Sequence, residues 1–352
     1  MPVLAPSVVW TALPAGFGWR SAAAVSQVLL LGGGGQSVAP GGPASPPTVL
    51  AFEVAEPPVL QGPWKLPTEL PANPHVEPIP FDELGPAMVS AAMVDGAPVA
   101  TVMVQLSWDF GGCMGGWLHP VGSHEWDFIG SASEESDIGA NDPVGIAPDA
   151  LVTQEDEGDR LFVVTRHPQL AEVAWPQGMV TRTHWRPQHI DLPEGLTMAG
   201  GASLSPNGRW VGVVASDEQR MRHAVLLYAL RGDVLTLVER FAYSGYHVEG
   251  LALTDDWIAI VEKVHGDRRL RWREVVVGAD RYLEVGDLEA TLSVDGSRAL
   301  LTQGHRALVV DLARGVLTHN IQRGGVAQLG WGMLVPGFAV FALPDKVGAV
   351  AL

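Results

Sequence analysis

The chain has 352 residues, of which 47% are hydrophobic and 17% charged, and its net charge is -17. That composition supplies a substantial core and excludes a disordered chain. The single cysteine, Cys113, excludes an intrachain disulfide and any zinc site built from two thiolates of this chain.

Charge is unevenly spread. Residues 1–150 carry only Arg20 and Lys65 as basic groups, against fifteen Asp and Glu. Such a surface repels nucleic acid and anionic membrane and suits a partner with a basic surface. The start, Met1-Pro2-Val3-Leu4-Ala5-Pro6, has neither a basic residue nor an unbroken apolar run, and no stretch reaches the ~18 apolar residues of a membrane span. A cytoplasmic protein with no membrane partner is expected. The 41 Gly and 27 Pro favour short strands and tight turns over long helices.

In chain order, residues 7–10 form a first short strand candidate, able to pair with the end of the chain. Residues 21–25 and 28–33 read as a strand pair running into Gly32-Gly33-Gly34-Gly35, followed by an apolar run at 48–54 and then Trp64. Stretches 88–94 and 98–104 flank Asp95-Gly96, and 150–153 and 160–164 flank an acidic turn at 155–159. The clearest pair is 202–214, two apolar runs around Ser205-Pro206-Asn207-Gly208. Asn-Gly and Asp-Gly tolerate the positive φ of a hairpin turn.

The same order of apolar run, Ser or Thr, turn and apolar run returns at Thr254-Asp255-Asp256 and at Ser293-Val294-Asp295-Gly296. On this alignment Ser205 matches Ser293, and Ser205, Thr254 and Ser293 lie 49 and 39 residues apart. Further strand pairs follow, at 223–230 with 234–240 and at 306–312 with 316–321. At the end, 326–329 and 333–335 flank Gly330-Trp331-Gly332.

Four strands per unit and a period of ~40–50 residues suggest propeller blades. The turns Ser-Pro-Asn-Gly-Arg-Trp and Ser-Val-Asp-Gly-Ser-Arg resemble those of WD-repeat-like bacterial propellers, and the glycine run at 32–35 resembles a kelch repeat. The resemblance implies a fold and no activity. The fold expected is all-β, a seven-bladed β-propeller with four-stranded antiparallel blades, in a single domain over 1–352. Loop insertions are expected at about 36–47, 62–86 and 108–149 in the first three blades. The alternative is a pair of tandem β-sandwiches.

Chemistry concentrates in the third insertion. Trp108, Asp109, Trp117, His119, His124, Glu125, Trp126 and Asp127 sit close together with Cys113. Tryptophan anchors beside carboxylates suit a protein-binding loop, while imidazole plus carboxylate suits a divalent transition metal. The spacing matches no metal motif, and no cofactor is expected. His184 and His189 are five apart, which puts them on opposite faces of a regular strand. His247 and Glu249, two apart at a blade entry, would share a strand face near a central channel and could act as an acid/base pair or join a hydrogen-bond network. The acidic run 133–142 lacks the ordered alternation of a calcium loop. No phosphate-binding P-loop and no G-x-S-x-G elbow occurs.

Two functions are therefore in view. One is a non-catalytic interaction scaffold that binds through the acidic, Trp-rich loops. The other is a metal-assisted hydrolase or lyase at the channel mouth, drawing on His119, His124, Asp127, His247 and Glu249.

Overall fold

The computed structural model of the chain describes residues 5–35, 45–64, 84–94, 97–106, 113–120, 127–131, 141–147, 150–155, 161–166, 173–174, 180–181, 185–217, 223–232, 234–243, 247–276, 278–286, 290–304, 306–322 and 330–352. Every regular element among them is a β-strand. The first is β1 (Val9–Ala12). A four-stranded sheet follows, made of β2 (Trp19–Val25), β3 (Val28–Gly35), β4 (Ser45–Glu53) and β5 (Val59–Trp64). The second is β6 (Leu84–Val94), β7 (Ala97–Leu106), β8 (Cys113–Pro120) and β9 (Asp127–Ser131).

The third sheet comprises β10 (Asn141–Ala147), β11 (Ala150–Glu155), β12 (Leu161–Arg166) and, after a small pair β13 (Val173–Ala174) and β14 (Val180–Thr181), β15 (Trp185–His189). Then come β16 (Leu196–Leu204), β17 (Trp210–Asp217), β18 (His223–Arg231) and β19 (Val234–Tyr243). The next sheet is β20 (His247–Leu253), β21 (Trp257–Val264), β22 (Asp267–Glu274) and β23 (Arg281–Gly286). After it stand β24 (Ala290–Asp295), β25 (Arg298–Gln303), β26 (Arg306–Asp311) and β27 (Val316–Gln322). The last sheet is β28 (Trp331–Val335), β29 (Phe338–Leu343), β30 (Lys346–Ala351) and, on its outer edge, β1.

Seven four-stranded antiparallel sheets thus occur among the described residues. Two compact units emerge: 1–15 with 53–59 and 191–352, and 16–52 with 60–190. In the second unit β6 lies beside β2 and beside β10. In the first, β16, β20, β24 and β28 lie side by side in succession. Sheets that meet through their first strands in this way are blades of a propeller, and the tandem-sandwich alternative falls.

The apolar runs are continuous because both faces of a middle strand are covered. On β25 and β26, Ala299, Leu301, Leu308 and Val310 face the preceding sheet, in one cluster with Trp257, Val261 and Trp272. Leu300, Ala307 and Val309 face the last sheet, clustered with Leu334, Phe341 and Val350. Trp272 fills the wedge between its sheet and the next, buried to 2% exposure, and its indole N–H donates to the Leu312 carbonyl at 2.8 Å. Tyr228 anchors the entry to β16 by donating to the Asp191 carbonyl at 3.1 Å. Burial first, and then the Asp191 charge, push its phenol up to about 12.

The corners repeat in hydrogen bonds more strictly than in sequence. Leu230 N–H donates to Arg209 O, Val275 to Asp256 O, Leu312 to Ser297 O and Leu352 to Gly337 O, at 2.7–2.9 Å. Each bond ties the end of a third strand to the corner between the first and second. In this frame the matching positions are Ser205, Thr254, Asp295 and Val335, which face Trp210, Trp257, Arg298 and Phe338 across the turn. Ser293 therefore lies two residues inside β24, opposite Leu300, and is not the counterpart of Ser205. Asn207-Gly208 follows Ser205 at the same distance as Asp295-Gly296 follows Ser293, yet the first corner has a four-residue turn and the third a two-residue turn.

Other expectations shift as well. The last hairpin turns at Pro336-Gly337, and Trp331 and Gly332 belong to β28. Residues 150–155 are the second strand of their sheet, because β10 precedes them. The span 108–149 contains β8, β9 and β10 as well as connections.

Two glycines are set by close approach. A Cβ at Gly32 would strike the carbonyl oxygen of Ala87 on the neighbouring sheet, where Ser21 Oγ also accepts from Val89 N–H at 2.7 Å. A Cβ at Gly348 would stand 2.5 Å from Val8 Cγ1 and 2.7 Å from Trp10 Cε3, so Gly348 makes room for both side chains against β30.

Candidate functional site

Of the eight loop residues singled out above, Trp108, Asp109, His124, Glu125 and Trp126 lie outside the described residues. Trp117 and His119 stand on β8, in register with Val102 and Ala100 of β7. Both β7 partners are fully buried. Asp127 opens β9 opposite Leu118, one position out of phase with His119. His184 also lies outside the described residues, and His189 ends β15 opposite Phe162.

The second candidate pair is fully described. His247 lies opposite Lys263 and Val248 opposite Glu262, and the register then slips so that Gly250 meets Val261. Glu249 is the extra residue of this bulge. A bulge re-aims a side chain, and here the carboxylate is taken by Arg268, which binds it through both Nε and Nη2, the latter at 2.8 Å. His247 turns instead to His223 at the start of β18, with ring centroids 5.1 Å apart and planes at 78°. The bulge thus takes Glu249 off the strand face it was expected to share with His247, and the two residues make separate contacts.

His223 is the more constrained imidazole. Its Nδ1 is buried and has no hydrogen-bond partner. Burial pulls its pKa below the ordinary 6.5, His247 lowers it further, and the Asp217 carboxylate opposes both. The neutral imidazole is thus the preferred form between these two sheets.

Beside the histidines runs an ionic cluster that the sequence reading missed. Arg269, Arg271 and Arg273 alternate along β22 with Leu270 and Trp272. Arg269 Nε holds Glu262, whose side chain is fully buried, and Arg271 Nη1 lies 3.9 Å from the second carboxylate oxygen. Arg271 also binds Asp280, and Arg273 reaches Glu239 on β19 of the preceding sheet. The Tyr282 ring lies 4.6 Å from the Arg269 guanidinium carbon and 5.5 Å from that of Arg271. The signal was present: Arg at every second position of a strand, and a Glu inside the apolar run of β21.

Chemically these groups hold structure. Each of these carboxylates is engaged by a guanidinium, and arginine does not release its proton. Among the described residues no three His, Cys, Asp or Glu gather in a way that would hold a metal ion. No helix among them is long and apolar enough to cross a membrane.

No family model matches the chain, and no curated protein matches it. Solved structures do. The Dos1 propeller aligns with a TM-score of 0.51 at 11% identity, over 98% of this chain and 85% of that one. A structure from a mechanistic study of two prolyl endopeptidases aligns with a TM-score of 0.46 at 15% identity, over 95% of this chain. The chain spans about half of that structure's length, 46%. Together with the four-stranded sheets, the first alignment makes this a β-propeller fold. At these identities the likeness concerns the fold alone.

Proposed function

We propose that the protein is a non-catalytic interaction scaffold, and that the Trp-rich segment 108–127 binds a protein with a basic surface. The observation that carries this reading is how acidic groups are used along the chain. In the sheets from β16 onward, Glu239, Glu249, Glu262, Asp280 and Asp295 each face an arginine. Residues 1–150 have fifteen acidic groups and only Arg20 and Lys65 as basic groups, an excess of negative charge that suits a partner with a basic surface.

The mechanism is ordinary recognition. Tryptophans bury apolar area at the centre of the contact, and acidic groups around them speed encounter with a basic surface. A propeller supports this by fixing the ends of a long segment on rigid strands.

The test is affinity capture with wild type beside Trp126→Ala and Trp117→Ala, followed by binding of the captured basic protein at low and high salt. The reading expects Trp126→Ala to weaken binding about tenfold or more, with weaker binding in high salt. Trp117 lies opposite buried Val102, so its variant is also measured for stability. Unchanged binding by both variants would contradict the reading. Stoichiometric metal in the same purified sample, lost on His119→Ala with His124→Ala, would replace it with the metal-assisted hydrolase or lyase.

A further inference from the structure

We propose that the His223–His247 contact is a pH-sensitive latch between two neighbouring sheets, closed when both rings are neutral and loosened by mild acid. His223 begins β18 and His247 begins β20, so the contact joins one sheet to the first strand of the next. The edge-to-face arrangement at 5.1 Å suits neutral rings, which attract through their quadrupoles. Two imidazolium ions at that separation repel.

The surroundings decide how readily protons enter. On β17, Asp217 favours a charged His223. On β20, Glu249 is neutralised by Arg268 of β22. On β21, Lys263 lies opposite His247 in register, while the buried Glu262 is taken by Arg269 of β22 and faces Arg271. On β19, Tyr243 pairs with His223 in register. Among the described residues Asp217 is the carboxylate that acts on His223, and one carboxylate does not balance two imidazolium charges. Below the latch, Val214, Val225, Leu227, Val248, Ile258 and Ile260 form one apolar cluster between the same two sheets. Loosening therefore frays the boundary from its histidine end, and the apolar cluster limits how far it opens.

The experiment is amide hydrogen exchange on the full chain at about pH 7.5 and about pH 5.5, corrected for the intrinsic pH dependence of exchange. In wild type, protection of amides 223–227 and 247–251 should fall roughly fivefold or more in acid. In His223→Gln and His247→Gln, which keep a polar side chain without a titrating ring, the fall should vanish. Amides around Trp272 and Ala299 serve as the reference boundary and should hold their protection in all three proteins. Equal protection at both pH values in wild type, or the same fall in both variants, overturns the proposal. A histidine titration of wild type gives a second readout that needs no variant. A His223 midpoint below 6.5 that moves together with the boundary amides supports the latch, and a midpoint at or above 6.5 overturns it.

Discussion

At the first corner, Ser205 Oγ accepts from Trp210 N–H at 3.0 Å and donates to Asn207 Oδ1 at 2.9 Å. Asn207 Oδ1 in turn accepts from Arg209 N–H, and Asn207 N–H reaches Asp255 Oδ1 of the next corner at 3.3 Å. One buried hydroxyl thus fixes a turn and aligns its neighbour. Ser205→Ala leaves the Trp210 N–H without that acceptor and should cost about 1–2 kcal/mol, measured by urea unfolding. A loss within experimental error would show that solvent replaces the hydroxyl.

Titration is also argued at this scale. His223 and His319 are both pulled below the ordinary 6.5, chiefly by burial, with His247 and Arg298 as the second causes. The unfolded chain then binds protons more readily than the folded one. Stability is full above about pH 6.5 and falls as pH drops through the folded-state midpoints. Unfolding free energies should therefore decline between pH 7.5 and pH 5.5, and less steeply in His223→Gln with His319→Gln. An equal decline in that double variant would assign the effect to other groups. Asp255 acts with the opposite sign: burial raises its pKa, so its contribution favours the fold at the acid end.

At the scale of elements, packing between sheets explains what was legible in the sequence and what was not. Strand pairs and corners were readable because apolar runs and Asn-Gly or Asp-Gly turns are local signals. That Asp295 and not Ser293 matches Ser205 was not, because the turn after Ser205 has four residues and the turn after Asp295 has two. The strands β8, β9 and β10 were hidden by Gly, Pro and acidic residues, which carry little strand propensity. The His223–His247 contact joins residues on different sheets, and no local pattern announces it. Glu249 was read onto the His247 face because a regular strand alternates; the bulge breaks that alternation.

Two substitutions test the packing. Gly348→Ala drives a methyl group into Val8 and Trp10. It should loosen β1 at a cost of about 1–3 kcal/mol, seen as faster exchange in residues 9–12 while amides of β17 stay protected. Trp272→Ala empties the wedge between two sheets and breaks the bond to Leu312 O, for about 3–5 kcal/mol. Trp272→Phe should lose distinctly less, since most of the volume remains. Equal losses in the two Trp272 variants would mean that the hydrogen bond outweighs the filled space.

At the scale of the whole molecule, charge is the ordering feature. The net charge of -17 is concentrated where basic residues are scarce, whereas the sheets after β16 pair carboxylates with Arg268, Arg269, Arg271, Arg273 and Arg298. Those pairs are partly buried and escape most screening by salt; unpaired carboxylates at the surface do not. Salt should therefore affect association far more than it affects the fold. The propeller was legible from repeated corners, but the binding surface was not, because composition gives a sign of charge and no geometry.

The most direct measurement is the association rate of the captured basic protein with wild type and with Asp109→Asn, Glu125→Gln, Asp127→Asn, in low salt and in about 0.3 M salt. Wild type should slow about tenfold or more as salt rises, and the neutralised variant should be slow at both. Equal, salt-independent rates for the two proteins would contradict the assignment of binding to the acidic segment.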